Sequence, residues 1–139
     1  IRCKGAGGRV DVIYFWGNAL TGTIPEQIGG LAELIKLYLY GNALTGPIPA
    51  WLGGLTELRH LMLYSNRLSG TIPPALEDLR HRLPGIGSPS LYIGGNPTLS
   101  CPVADYQGWA SGADDWDHKD GGYGSDGTAN CGATEAGSA

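Results

Sequence analysis

The residues of this 139-residue chain that could do chemistry are few: three histidines (His60, His81 and His118), three cysteines (Cys3, Cys101 and Cys131) and one run of aspartates, DDWDHKDGG. Nucleophilic or hydrolytic chemistry needs a nucleophile held by a base, a phosphate loop, or a metal with properly spaced ligands. No such motif accompanies any histidine, so the chain is expected to be no enzyme and to need no cofactor. In the aspartate run, Asp115, Asp117 and Asp120 are weak metal candidates. A calcium loop wants oxygen ligands at its first, third and fifth positions, and Lys119 stands at the fifth. A solvated acidic loop is the expectation there. What remains is the chemistry of contact. The stretch LYLYGNALTG at 37–46 alternates Leu37 and Leu39 with Tyr38 and Tyr40. A period of two is a strand signal, with alternate side chains on opposite faces. With the leucines turned to a core, the tyrosines face outward.

The elements that must position these rings come from an internal repeat. Asn18, Asn42 and Asn66 are 24 residues apart, as are Gly22, Gly46 and Gly70, and Pro25, Pro49 and Pro73. Before each Asn, the eighth, fifth and third positions are apolar: Val10/Ile13/Phe15, Leu34/Leu37/Leu39 and Leu58/Leu61/Leu63. A fourth copy, SPSLYIGGN, places Leu91 and Ile93 before Asn96, after a longer step of 30 residues. One such unit cannot bury its apolar side chains alone, whereas stacked units share a continuous core. The Asn side chain, both donor and acceptor, can satisfy backbone groups at each turn. The glycines permit left-handed turns, and the Ile-Pro steps hold the return path extended. One short helical turn is expected at Pro74–Arg82.

These segments resemble the plant-type leucine-rich repeat, with its LxxLxLxxN core and xLxGxIPxxLGxL continuation, as found in receptor-kinase ectodomains and polygalacturonase-inhibiting proteins. The resemblance implies an α/β solenoid: a short right-handed superhelix of about four turns, with a parallel sheet on its concave face and little regular helix. It divides the chain into a partial N-terminal cap at 1–9, repeats at 10–100, and a C-terminal cap with an acidic, Gly-rich tail at 101–139. IRCKGAGGRV is similar to the end of the family's N-terminal cap, whose cysteine pairs with one upstream, so Cys3 lacks that mate here. GGNPTLSCP is similar to the closing cap. The resemblance makes Cys131 the natural partner of Cys101, closing a loop of 31 residues (101 to 131 inclusive) and contributing about 3–4 kcal/mol; three cysteines still leave the pairing underdetermined. Such cysteines point to an oxidising compartment, secreted or lumenal.

In the same family the non-leucine strand positions lie on the concave face. That places Tyr14, Tyr38, Met62 and Tyr92 in one column and Trp16, Tyr40, Tyr64 and Gly94 in the next, bordered by Asp11, Val12, Ile35, Lys36, Arg59 and His60. Aromatic residues also favour strands and pair across them, which would account for scattered rings. Two full columns on an exposed face read better as a contact surface.

Charge sharpens the reading. Residues 1–96 carry eight basic and six acidic side chains, net +2, and residues 97–139 carry one and seven, net −6. Neither part is basic enough for nucleic acid, and no run of 18 apolar residues suits a membrane span. Residues 102–139 show neither repeat nor periodicity. No leader segment is read, and the opening at Ile1 suggests a processed or partial chain. The expected function is a protein-binding or scaffold module using the aromatic concave face, its partner a protein or a neighbouring subunit. The rivals are a structural subunit of a larger extracellular or lumenal assembly or filament, and an inhibitor of a cell-wall glycosidase.

Overall fold

Side chains that recur every 24 residues can stack only if each turn of the chain lies over the last, and the structure does so. It is a computed structural model that describes residues 1–4, 7–76 and 90–100, with backbone alone for Lys4, Ser90, Leu91 and Tyr92. Nine strands run through the described residues: β1 (Arg2–Lys4), β2 (Arg9–Tyr14), β3 (Thr21–Gly22), β4 (Lys36–Tyr38), β5 (Ala43–Pro47), β6 (His60–Met62), β7 (Arg67–Thr71), β8 (Ser90–Tyr92) and β9 (Thr98–Ser100). One sheet has the order β1-β2-β4-β6-β8. Its register follows the repeat, with Ile13 opposite Leu37, Leu37 opposite Leu61, and Leu61 opposite Leu91. Strands β2, β4, β6 and β8 are parallel, and β1 joins the edge of β2 antiparallel, through a bulge.

The core is the repeat made solid. Leu34, Leu37, Leu39, Leu58, Leu61 and Leu63 are buried, joined by Leu44, Leu68 and Leu99, by Ile24, Ile48 and Ile72, and by Leu52 and Leu76 from the return path. The conserved spacing of the asparagines becomes a hydrogen-bonded spine. Asn66 Nδ2 donates to the carbonyls of Leu63 in its own turn and Leu39 in the turn before, at 3.0 and 2.9 Å, while its Oδ1 accepts the Leu44 amide at 3.1 Å. Asn42 and Asn96 repeat the pattern. Each side chain therefore pairs backbone groups that no sheet reaches, and for Asn66 and Asn96, both buried, leaving those groups unpaired would be costly.

Four features depart from the sequence reading. A second sheet, β3-β5-β7-β9, is parallel throughout and was not foreseen. Once the turns stack, the extended segments after each Asn also lie a strand's width apart, about 4.8 Å, and pair. Gly22, Gly46 and Gly70, at φ of 83°, 78° and 79°, bend the chain within it. The return path stays extended at Pro25 and Pro49, then coils into 3-10 turns at Glu26–Gly30 and Ala50–Gly54. Of the turn expected at Pro74–Arg82, only the start is described, where the Leu76 amide bonds the Pro73 carbonyl at 3.0 Å; residues 77–82 lie outside the described residues. Phe15 stands at a core position of the repeat yet is 37% exposed, against 3% for Leu39 and 0% for Leu63, because no turn covers it on the β1 side. Asp11 and Val12, assigned to the exposed border, are buried. Strand β1 is the cause: Val12 faces Arg2 across the ladder, and the Arg2 guanidinium grips the Asp11 carboxylate through Nε at 3.0 Å and Nη2 at 2.8 Å.

Candidate functional site

The exposed face of the first sheet collects the rings because strand alternation leaves them nowhere else to go. Leu37 and Leu61 point inward, so Lys36, Tyr38, His60 and Met62 point outward from the same short strands. Trp16, Tyr40 and Tyr64 follow two positions later. Trp16 and Tyr40 are stacked at 5.8 Å between centroids with 3° between planes, and Tyr40 and Tyr64 at 4.4 Å with 12°. Both faces of Tyr40 are thus covered by rings, and the column shows its edges to solvent. In the neighbouring column Tyr14 meets Tyr38 edge-on at 4.9 Å. Tyr38 touches both columns, 6.4 Å from Tyr40, and lies edge-on to the His60 imidazole at 6.4 Å. Trp16 is 55% exposed and Tyr14 42%, while Tyr38, Tyr40, Met62 and Tyr64 are half-buried.

The border towards the start of the strands is basic. Lys36 lies directly opposite His60 in the ladder, and Arg59 precedes it. Burial is the main cause that holds the His60 imidazole below its ordinary pKa, helped by the charges of Lys36 and Arg59. Among the described residues neither Lys36 nor Arg59 has an ion pair; the two that form are Arg2–Asp11 and Arg9–Glu33. Tyr92 follows Met62 in register on β8. Cys3 is exposed and free among the described residues. The Cys101–Cys131 bridge, the aspartates Asp115, Asp117 and Asp120, and the tail as a whole lie outside the described residues. Within the described residues no three His, Cys, Asp or Glu side chains gather as a metal site, and no helix is long and apolar enough to cross a membrane.

A family model described as leucine rich repeat matches residues 9–80, more than half of the chain. The chain belongs to the leucine-rich repeat family. This repeat protein is similar in structure to the ectodomain of the Arabidopsis receptor kinase HAESA, solved with an N-terminally extended IDA peptide hormone ligand, at 34% identity over 73% of this chain and a TM-score of 0.57. It is also similar to a Pollen Receptor Kinase 3 structure, at 32% identity over 68% of this chain and a TM-score of 0.56. A third likeness is to a plant ice-binding protein, at 31% identity over 66% of this chain and 0.56. The chain spans 16%, 43% and 27% of those three, respectively. No curated protein sequence matches it.

Sequence reasoning located the rings but not their mutual geometry. That Tyr40 is sandwiched, that Val12 is lost from the face, and that Asp11 is neutralised by Arg2 all depend on neighbours distant in sequence. A signal for the last existed: Arg2 and Asp11 flank the Gly-Ala-Gly-Gly stretch, a natural hairpin bend.

Proposed function

We propose that this leucine-rich repeat chain is a non-enzymatic protein-binding module, acting outside the cell or in an organelle lumen, and that it takes an extended partner segment across its aromatic concave face. Trp16, Tyr40 and Tyr64 form the centre of the contact, with Tyr14, Tyr38, Met62 and Tyr92 beside them and Lys36, Arg59 and His60 at the border. The observation that carries this is the three-ring stack standing open on a face the leucine core does not use. Stacked rings are held in place before a partner arrives and lose little rotamer freedom on binding, which favours affinity. The likeness to a peptide-bound ectodomain supports the same direction.

The likeness to an ice-binding protein gives no second reading. In the second sheet Ser69 lies opposite Thr98 and Thr71 opposite Ser100, but Thr21 lies opposite Ala43 and Thr45 opposite Arg67, so hydroxyls do not run through the whole sheet as one column.

The test pairs selection with stability. Peptides selected from a displayed random library on the full chain should bind the double variant Tyr40→Ala/Tyr64→Ala at least tenfold more weakly, since buried aromatic anchors commonly contribute about 2 kcal/mol or more each. Thermal melting should fall less for this variant than for Leu61→Ala. Unchanged binding with a large loss of melting temperature would assign the rings to the sheet alone.

A further inference from the structure

We propose that Lys36, Arg59 and His60 form a subsite for side-chain carboxylates, so that the segment taken by the aromatic face is acidic as well as apolar. This inference rests on the reading of that face as a peptide-binding surface and narrows the chemistry of its partner.

Lys36 and His60 stand side by side in the ladder with Arg59 adjoining. The acids nearest this border along the chain are occupied or apart. Asp11 is buried under Arg2, Glu33 pairs with Arg9, and Glu57 forms no ion pair with Arg59 or Lys36. Lys36 and Arg59 are left as two cations that no carboxylate of the described residues meets within ion-pair distance; Glu57, also without an ion pair, lines the neighbouring hollow with Glu33 and Ile35. Two flexible cations held a strand apart repel one another, and an anion between them removes that repulsion.

An aromatic ring is negative on its face and positive at its edge. A ligand cation needs an open face, and Tyr40 has none, being covered by Trp16 and Tyr64. Tyr38 is engaged by Tyr14 and by His60. Tyr40 therefore offers its positive edge and phenol hydroxyl, which attract carbonyl and carboxylate oxygens. Tyr40 and the border favour the same sign of charge.

Lys36 precedes Tyr38 by two residues and Tyr40 by four, and His60 stands likewise before Met62 and Tyr64. At about 3.3 Å per residue this separates subsite and stack by roughly 13 Å. An extended segment bridges that span with an acidic side chain within about four residues of an apolar anchor.

The test uses the full chain and two synthetic peptides, acetylated and amidated so that only side chains carry charge: Gly-Asp-Asp-Gly-Gly-Trp-Gly, and the same sequence with asparagine for each aspartate. Titration followed by calorimetry or peptide anisotropy at low ionic strength should show the acidic peptide binding at least tenfold more tightly than the neutral one. The preference should shrink as salt is raised. Lys36→Gln/Arg59→Gln should abolish the preference without lowering the melting temperature, because both side chains lie outside the core. Equal binding of the two peptides would overturn the carboxylate subsite. If that shared affinity is lost in Tyr40→Ala/Tyr64→Ala, the aromatic face remains a peptide surface and only its charge selectivity is refuted. Failure of the acidic peptide to bind at all overturns the subsite as well.

Discussion

The asparagine spine makes a prediction in which burial, rather than the number of hydrogen bonds, decides the cost. Consider Asn66→Ala. The side chain is 4% exposed. Its amide nitrogen donates to Leu39 and Leu63, but both carbonyls have a second donor: Asn42 Nδ2 reaches Leu39 at 2.8 Å and Asn96 Nδ2 reaches Leu63 at 3.1 Å. Neither oxygen is orphaned by the substitution, so each lost bond costs about 1 kcal/mol. The Leu44 amide is different, because its partner is Asn66 Oδ1 inside the core. Leaving a buried donor unpaired costs about 1–3 kcal/mol. The total is about 3–5 kcal/mol, a large part of the roughly 5–15 kcal/mol by which domains are stable. Asn42→Ala breaks bonds to Phe15, Asn18 and Leu20 that lie at or near the surface, where water replaces them, and one to the Leu39 carbonyl, which Asn66 still serves; it should cost only about 1–2 kcal/mol. Asn66→Asp is the sharper probe. It keeps the acceptor for Leu44 but sets a carboxylate against two carbonyl oxygens, which raises its pKa in the folded state. At neutral pH it should be at least as destabilising as Asn66→Ala, and it should recover as pH falls through that raised value and the carboxyl becomes a donor. Urea unfolding of the three variants, followed by circular dichroism, measures all of this. A cost for Asn42→Ala equal to or above that of Asn66→Ala would refute the argument that burial sets the scale.

Three further outcomes follow from single contacts. Leu61→Ala removes a side chain that is 1% exposed in the middle of the core and should cost about 2–5 kcal/mol in chemical unfolding. Gly53→Ala should destabilise by more than about 1 kcal/mol although Gly53 sits in a return turn, because a Cβ there would collide with the Ala75 carbonyl oxygen; a neutral effect would mean the two turns part readily. For His60, burial and the charges of Lys36 and Arg59 hold the folded-state pKa down, so folding disfavours the proton and stability falls as pH drops below the ordinary imidazole value of about 6.5. A bound carboxylate reverses the balance, and affinity for the acidic peptide should rise over the same range; NMR titration of the imidazole with and without peptide shows the shift, and a free-state value above the ordinary one would contradict the described surroundings.

The sequence by itself determined the solenoid. The 24-residue ladders of Asn18, Asn42 and Asn66 and of the leucines before them encode stacking, since one unit cannot bury its own apolar side chains and stacked units share a core, and the resemblance to the leucine-rich repeat implies the solenoid form of that stack. They also determined which rings face outward, because alternation along a strand is local: once Leu37 and Leu39 turn inward, Tyr38 and Tyr40 cannot. What the tertiary structure decided is everything that depends on which turn lies against which. The second sheet arises between segments that carry no strong strand pattern of their own and pair only because stacking brings them within reach. The exposure of Phe15 depends on its lying at the uncovered side of the stack, although it occupies the same position in the repeat as Leu39 and Leu63. Asp11 reads as a border acid until Arg2, nine residues away, folds back as β1 and takes its charge. That ion pair, with the one between Arg9 and Glu33, leaves Lys36 and Arg59 without an ion-pair partner among the described residues, because the sign of a surface is a sum over neighbours in space and a sequence states only neighbours along the chain.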